Sequence, residues 1–142
     1  MDEQTRHFLE RQRVAHLATA DASGAPHVVP ICFALLAETL YIAIDEKPKV
    51  DDVHRLRRLR NIAENPRVAI VADVYHDEDW SRLGFVLVRA TARVLSPAEP
   101  RHAAAVEALR SKYAQYRAMA LQDRPMIAAD IDTVTTWGRL AG

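Results

Sequence analysis

A chain of 142 residues with 19 acidic and 19 basic side chains and no net charge is sized for one domain, residues 1–142, with one core; the even balance argues against a dedicated nucleic-acid binder. Hydrophobic residues at 49% and charged residues at 27% describe an ordinary soluble protein. No apolar run is long enough to cross a bilayer, and the opening MDEQTRHFLERQR has no apolar signal region, so the expectation is a cytoplasmic protein without a membrane partner.

From the N-terminus, residues 2–12 read as a short helix anchored by Phe8 and Leu9. Residues 14–19 read as a strand, and the turn formers of residues 21–26 lead into a second arm over residues 27–35, a β-hairpin. Both faces of that arm are apolar, which predicts cover on both sides. Pro30 cannot donate a ladder hydrogen bond and belongs at a sheet edge or a bulge. Two readings of it stay open: backbone groups beside it turned toward a ligand, or a proline that only protects an edge.

Residues 40–44 form a third strand that runs into the most basic part of the chain. There Lys47, Lys49, Arg55, Arg57, Arg58 and Arg60 stand against only Asp51 and Asp52. Leu56, Leu59 and Ala63 share a face at i, i+3, i+7, which predicts a helix seated on the core with Arg58 on the opposite side. Asn65-Pro66 ends it, because the residue before proline is pushed out of the α region. A basic loop and helix start between two strands offer backbone N–H groups, a dipole and guanidinium forks to an anion such as phosphate. The same residues also describe a solvated charged helix face, which residue content alone favours.

Residues 67–74 read as a fourth strand and residues 75–81, YHDEDWS, as a polar turn carrying Trp80. Residues 83–95 are a long strand, with Val86, Val88, Ala90, Ala92 and Val94 toward the core and Arg89, Thr91 and Arg93 toward water or a partner chain. Ser96-Pro97-Ala98-Glu99 has the form of a helix start, with serine as N-cap, proline first and glutamate three residues after the cap. Val106, Leu109, Tyr113 and Tyr116 continue it as an amphipathic stripe, read as packing. Residues 117–124 are irregular and residues 126–137 are the last strand. Turns between the first three strands are too short for crossovers, so the fold class is mainly β: a small barrel of six or more mostly antiparallel strands with peripheral helices.

Catalytic motifs are absent: there is no G-x-G-x-x-G, P-loop, G-x-S-x-G or H-E-x-x-H. His7, His16, His27, His54, His76 and His102 lack ligand spacing, so no metal site is expected. His76 with Asp77 and Asp79 reads as a polar turn. Cys32, the single cysteine, excludes an internal disulfide and reads as a small buried hydrophobe. No side chain stands out as catalytic, so an enzyme built this way leaves the chemistry to a bound cofactor.

The order VAHLATADASGAPHVVPICFAL, LYIAI, a basic loop, RRLRNIAENPRVAIVAD, a Trp-containing turn, GFVLVRATARVL, SPAE and DIDTVTTWG spans nearly the whole chain. It resembles the split-barrel flavin and deazaflavin oxidoreductases, the relatives of pyridoxamine 5'-phosphate oxidase. The LATxxxxGxPHxVPI and RLRNIxxNPRVAI segments most resemble the branch that uses the deazaflavin coenzyme F-420. The resemblance implies an FMN-binding-like split β-barrel and a homodimer with two cofactor sites at the subunit interface. By that resemblance, Val29, Pro30 and Ile31 match the strand beside the isoalloxazine-like ring. Lys47, Lys49, Arg57, Arg58 and Leu59 match or neighbour the loop and helix that hold the phosphate and acidic tail. Trp80 matches an aromatic near the cofactor, and Trp137 reaches the site from the other subunit. Relatives often carry lysine where this chain has Arg58, a non-equivalent exchange, and several residues are inserted between Lys49 and Leu56. The implied activity is hydride transfer between reduced coenzyme F-420 and a small unsaturated organic substrate. The alternatives are an FMN enzyme of the pyridoxamine-phosphate-oxidase type and a non-enzymatic module that stores or senses a cofactor.

Overall fold

The computed structural model describes residues 1–44 and 56–141. Its elements in chain order are α1 (Glu3–Arg11), β1 (Ala15–Ala20), β2 (Pro26–Ile31), β3 (Ala34–Leu36), β4 (Thr39–Ala43), α2 (Arg57–Glu64), β5 (Arg67–Val74), β6 (Gly84–Leu95), α3 (Pro100–Lys112) and β7 (Met126–Gly138). Short 3₁₀ turns stand at Trp80–Arg82 and Ala114–Ala118. All seven strands belong to one antiparallel sheet in the order β2-β1-β5-β6-β7-β4-β3. The expected mainly β architecture is the one the chain adopts, a curled half-barrel with helices at its margins.

The curl follows from the topology. β2 and β3 lie at opposite ends of the hydrogen-bonding order, yet only Cys32 and Phe33 separate them in sequence. The three backbone steps from Ile31 to Ala34 span at most about 10 Å, so the sheet must bend until its two ends nearly meet. This corrects the single arm expected over residues 27–35. Its first half pairs with β1 and its last with β4, and no straight strand serves both. At the break the Phe33 N–H leaves the ladder and donates to the Tyr113 hydroxyl at 3.2 Å.

Inside the curl Phe8 and Leu9 of α1 pack with Leu17, Ile42, Ile70, Val86 and Val88, all at most 2% exposed. A second cluster, with Leu95, Leu109, Tyr116 and Met126, lies under α3. Each such aliphatic side chain contributes about 1.5–3 kcal/mol of transfer free energy. Asp2 caps α1 by accepting the Thr5 N–H at 2.8 Å. In the first hairpin Asp21 accepts from the Ser23 and Ala25 N–H groups, and Gly24 takes φ +87°, which closes the expected turn.

Three local expectations are corrected. β2 is covered on one side only: Val28 is 63% exposed and Pro30 is exposed, because β2 is an edge strand with no layer over its outer face. Pro30 does stand at the sheet edge, as a residue without an N–H must. The third helix starts at Pro100, not after Ser96. Glu99, preceding that proline, is held extended at φ −79°, ψ 138°, and reaches back to accept the Ser96 N–H at 2.8 Å. On α2 the buried residues are Leu59, Asn61 and Ile62, while Ala63 is exposed; a two-turn helix seats its i, i+3 pair. No described helix is long and apolar enough to cross a membrane, and no three His, Cys, Asp or Glu residues among those described are placed to hold a metal ion.

Candidate functional site

Where β2 ends and the sheet's two edges approach, a cleft of about 300 Å³ opens. Val29, Pro30 and Ile31 of β2 line it together with Ile42 and Ala43 of β4, Arg58 of α2 and the side chains of Cys32 and Tyr116. An apolar surface and one guanidinium thus share a single concavity. Pairing sets the first: β2 holds register with β1, Pro30 opposite His16 and Val29 opposite Leu17. α2 sets the second. Its N-terminal residue, Leu56, supplies no side-chain cap, and no acidic residue stands in its first turn. Among the described residues no side chain caps the first N–H groups of the helix, beside Arg57 and Arg58, where an anion is favoured.

The expected site residues divide as follows. Val29, Pro30, Ile31 and Arg58 come together in the cleft. Arg57 is exposed at the start of α2. Its charge assists, as the smallest of several causes, in holding the Asp21 carboxyl below its usual range, the Ser23 hydrogen bond being the largest. Leu59 is 2% exposed and belongs to the core. Lys47 and Lys49 lie outside the described residues. Trp80 is 69% exposed, and Trp137 stacks on Phe85 with ring centroids 5.9 Å apart. Neither tryptophan lines the cleft of its own chain.

Two lining residues had been read differently from sequence. The helical stripe places Tyr116 in packing, and it is 5% exposed, yet it also lines the cleft. Cys32 is half-buried because the strand breaks at it. Behind this wall Tyr113 accepts the Phe33 N–H and donates to the Arg13 carbonyl at 2.9 Å, tying the β2–β3 break to the α1–β1 connection. The Lys112 ammonium sits 3.8 Å from the Phe33 ring centroid, and burial pushes its pKa down to about 8.

Comparison with known proteins gives a curated relative, the 5a,11a-dehydrotetracycline/5a,11a-dehydrooxytetracycline reductase of Streptomyces rimosus, 36% identical over 88 residues. The match spans 62% of this chain and 59% of the relative, less than two thirds of that protein. Among solved structures, the heme storage protein HutZ of Vibrio cholerae superposes with a TM-score of 0.72 at 18% identity, over 96% of this chain and 93% of that one. An FAD-binding protein of Mesorhizobium loti gives 0.68 at 21% identity, over 96% and 94%. At such identities these two share the fold. The family model described as pyridoxamine 5'-phosphate oxidase matches residues 1–138, and by that near-complete match the chain belongs to the pyridoxamine 5'-phosphate oxidase family.

Proposed function

We propose that this protein is an oxidoreductase that works as a homodimer and binds a flavin-type cofactor in the cleft, with coenzyme F-420 as the specific cofactor. The observation that carries the reading is the shared cleft of Val29, Pro30 and Ile31 with Arg58 at an uncapped helix start. These residues fit the group: an apolar wall suits a flat ring system, and a guanidinium beside a helix start suits a phosphate or carboxylate. The reductase name of the Streptomyces rimosus relative supports redox chemistry, and the RLRNIxxNPRVAI segment favours the deazaflavin over FMN.

The bound cofactor supplies hydride transfer to or from a small unsaturated organic substrate. The chain's own part is positional. β2 orients the ring, Arg58 and Arg57 hold the anionic tail, with Lys47 and Lys49 proposed alongside them, and the wall of Ile42 and Tyr116 keeps water from the apolar side. Hydride transfer needs no protein acid or base, and no residue of this chain is assigned a catalytic role.

The outer face of the sheet supports the dimer reading. Pro30, His16, Val71, Leu87 and Thr135 are successive cross-strand neighbours there, next to the row Val28, Ala18, Ala69, Arg89 and Thr133. Val28 and Trp137 are 63% and 54% exposed on this side. A symmetric second copy would bury the face and carry Trp137 toward the partner's cleft. The test is titration of the apo-protein with coenzyme F-420 and FMN side by side. Saturable micromolar binding of coenzyme F-420, with FMN weaker, is expected; tighter FMN moves the protein to the FMN reading, and binding of neither below millimolar concentration sinks both.

A further inference from the structure

A second concentration of positive charge lies apart from the cleft and was not singled out in the sequence. A polar cavity of about 470 Å³ is lined by Arg11 and Gln12 at the end of α1, His76 beyond β5, Arg82 before β6 and Arg139 after β7. Three arginines line it, and among the described residues no aspartate or glutamate does, in a chain with no net charge.

The chain crossing that assembles it is tight. Gly84 and Gly138 are register partners at the open end of the β6–β7 ladder. A Cβ on Gly84 meets the Arg139 carbonyl oxygen at 2.4 Å, and one on Gly138, where φ is +78°, meets the Leu83 carbonyl oxygen at 2.2 Å. Only two glycines let the backbones come so close. The Arg139 N–H then donates to the Leu83 carbonyl at 2.8 Å, which seats Arg139 beside Arg82. Arg11 is oriented by one bond from Nη2 to the Leu140 carbonyl at 2.8 Å, which uses one of the five donors of its fork. The nearby Asp79 carboxyl is held below its usual range, first by the Ser81 hydroxyl and more weakly by Arg82 and Arg139. It is committed to the Ser81 N–H and hydroxyl at 3.1 and 2.6 Å and offsets one charge of three.

We propose that this cavity is a second anion site, independent of the cofactor reading, that takes a small multivalent oxyanion such as a diphosphate or a polycarboxylate. Like charges held in one volume repel, and a divalent or trivalent oxyanion relieves that repulsion while pairing with the forks. The volume exceeds what a single phosphate fills, which favours a diphosphate or a phosphorylated small molecule.

The experiment is calorimetric titration of the full chain with pyrophosphate and, separately, citrate, at an ionic strength held constant with sodium chloride. Saturable binding is expected, weakened at least tenfold in Arg82→Ser/Arg139→Ser and retained in Arg58→Ser, which separates this site from the cleft. Pyrophosphate binding without citrate binding assigns the site to phosphates; binding of both assigns it to multivalent oxyanions at large. The variant Arg82→Lys/Arg139→Lys, which keeps charge but loses the forks, should keep part of the affinity and serves if the serine pair does not fold. Parent-like binding in the folded serine pair, heat lost only in Arg58→Ser, or no saturable binding by the parent overturns the proposal.

Discussion

The Asn61 side-chain amide on α2 donates to the Thr19 hydroxyl of β1 at 3.0 Å, and both residues are buried, at 1% and 4% exposure. This bond fixes the rotation of α2 on the sheet, with Leu59 and Ile62 inward and Arg58 at the cleft. Asn61→Ala leaves a buried hydroxyl without its donor and should cost about 1–3 kcal/mol in urea unfolding. With Thr19→Val added, the two losses should fall short of their sum by about 1 kcal/mol. Strictly additive effects would remove this contact from the positioning of the helix.

Arg58 separates a gripped anion from a solvated helix face. If it holds the acidic tail, Arg58→Ala removes a charge-assisted contact of roughly 1.5–3 kcal/mol and weakens cofactor binding about tenfold to a hundredfold. Affinity should also fall as salt rises, since charge pairs open to solvent are screened. Removing the tail from the cofactor should cost less in Arg58→Ala than in the parent. Equal losses in both proteins, at low and high salt, take Arg58 out of the site.

The regular parts of this fold were legible because their signals are local. Alternation placed β6 within one residue of its observed start, and Asp2, Pro66 and the Asp21–Gly24 turn mark boundaries through their own backbone chemistry. What stayed hidden depends on pairing at a distance. The break at Cys32 arises because β2 and β3 serve opposite sheet edges, which residues 27–35 alone do not encode. Pro97 looked fit to open α3, yet the helix opens at Pro100, which holds Glu99 extended. At the site, Val29, Pro30, Ile31 and Arg58 came from resemblance to a family. Tyr116 escaped because a residue that packs and lines a cleft at once carries the pattern of a core residue. Arg11, Arg82 and Arg139 are distant in sequence and meet only through the Gly84–Gly138 crossing.

The outer sheet face predicts the effect of Val28→Asp. An exposed valine at the edge of this mixed face is close to neutral in a monomer, but an aspartate buried in a dimer interface carries a desolvation cost. Sedimentation should show a parent dimer at micromolar concentration and a shift toward monomer in Val28→Asp, with the monomer still folded. A parent that sediments as a monomer removes the dimer.

Gly138→Ala tests the crossing itself. The new methyl must sit 2.2 Å from the Leu83 carbonyl oxygen at a positive φ, so the strands have to part. The loss should exceed the cost of about 1 kcal/mol that a positive φ alone imposes on alanine and reach roughly 2–4 kcal/mol. Gly24→Ala, with open space around its Cβ but φ +87°, is the control and should cost only about 1 kcal/mol. Equal losses at the two glycines would mean that the crossing tolerates a methyl.

Lys112 predicts how stability responds to pH. Its Nζ lies 3.8 Å from the Phe33 ring centroid and 5.3 Å from that of Tyr113, and it has no hydrogen-bond partner among the described residues. Burial first, then the Arg13 charge, pushes its pKa from 10.5 to about 8, against the pull of Cys32 and Glu10. Below about pH 8 the amine is charged folded and unfolded alike, and the cost of burying that charge is carried in full. Between about 8 and 10.5 the unfolded chain holds a proton that the folded chain has lost, so stability rises with pH through this window. The full shift is worth about 3 kcal/mol, and because the side chain is only half-buried, screening reduces this to about 1 kcal/mol. The neighbouring Tyr113 hydroxyl is held above its usual range, by burial first. Lys112→Met lacks the titrating group while filling the same slot against the rings. Urea unfolding at pH 7, 8.5 and 10 should therefore show the parent gaining about 1 kcal/mol on the variant as pH rises; parallel curves would mean that Lys112 titrates as it does in the unfolded chain.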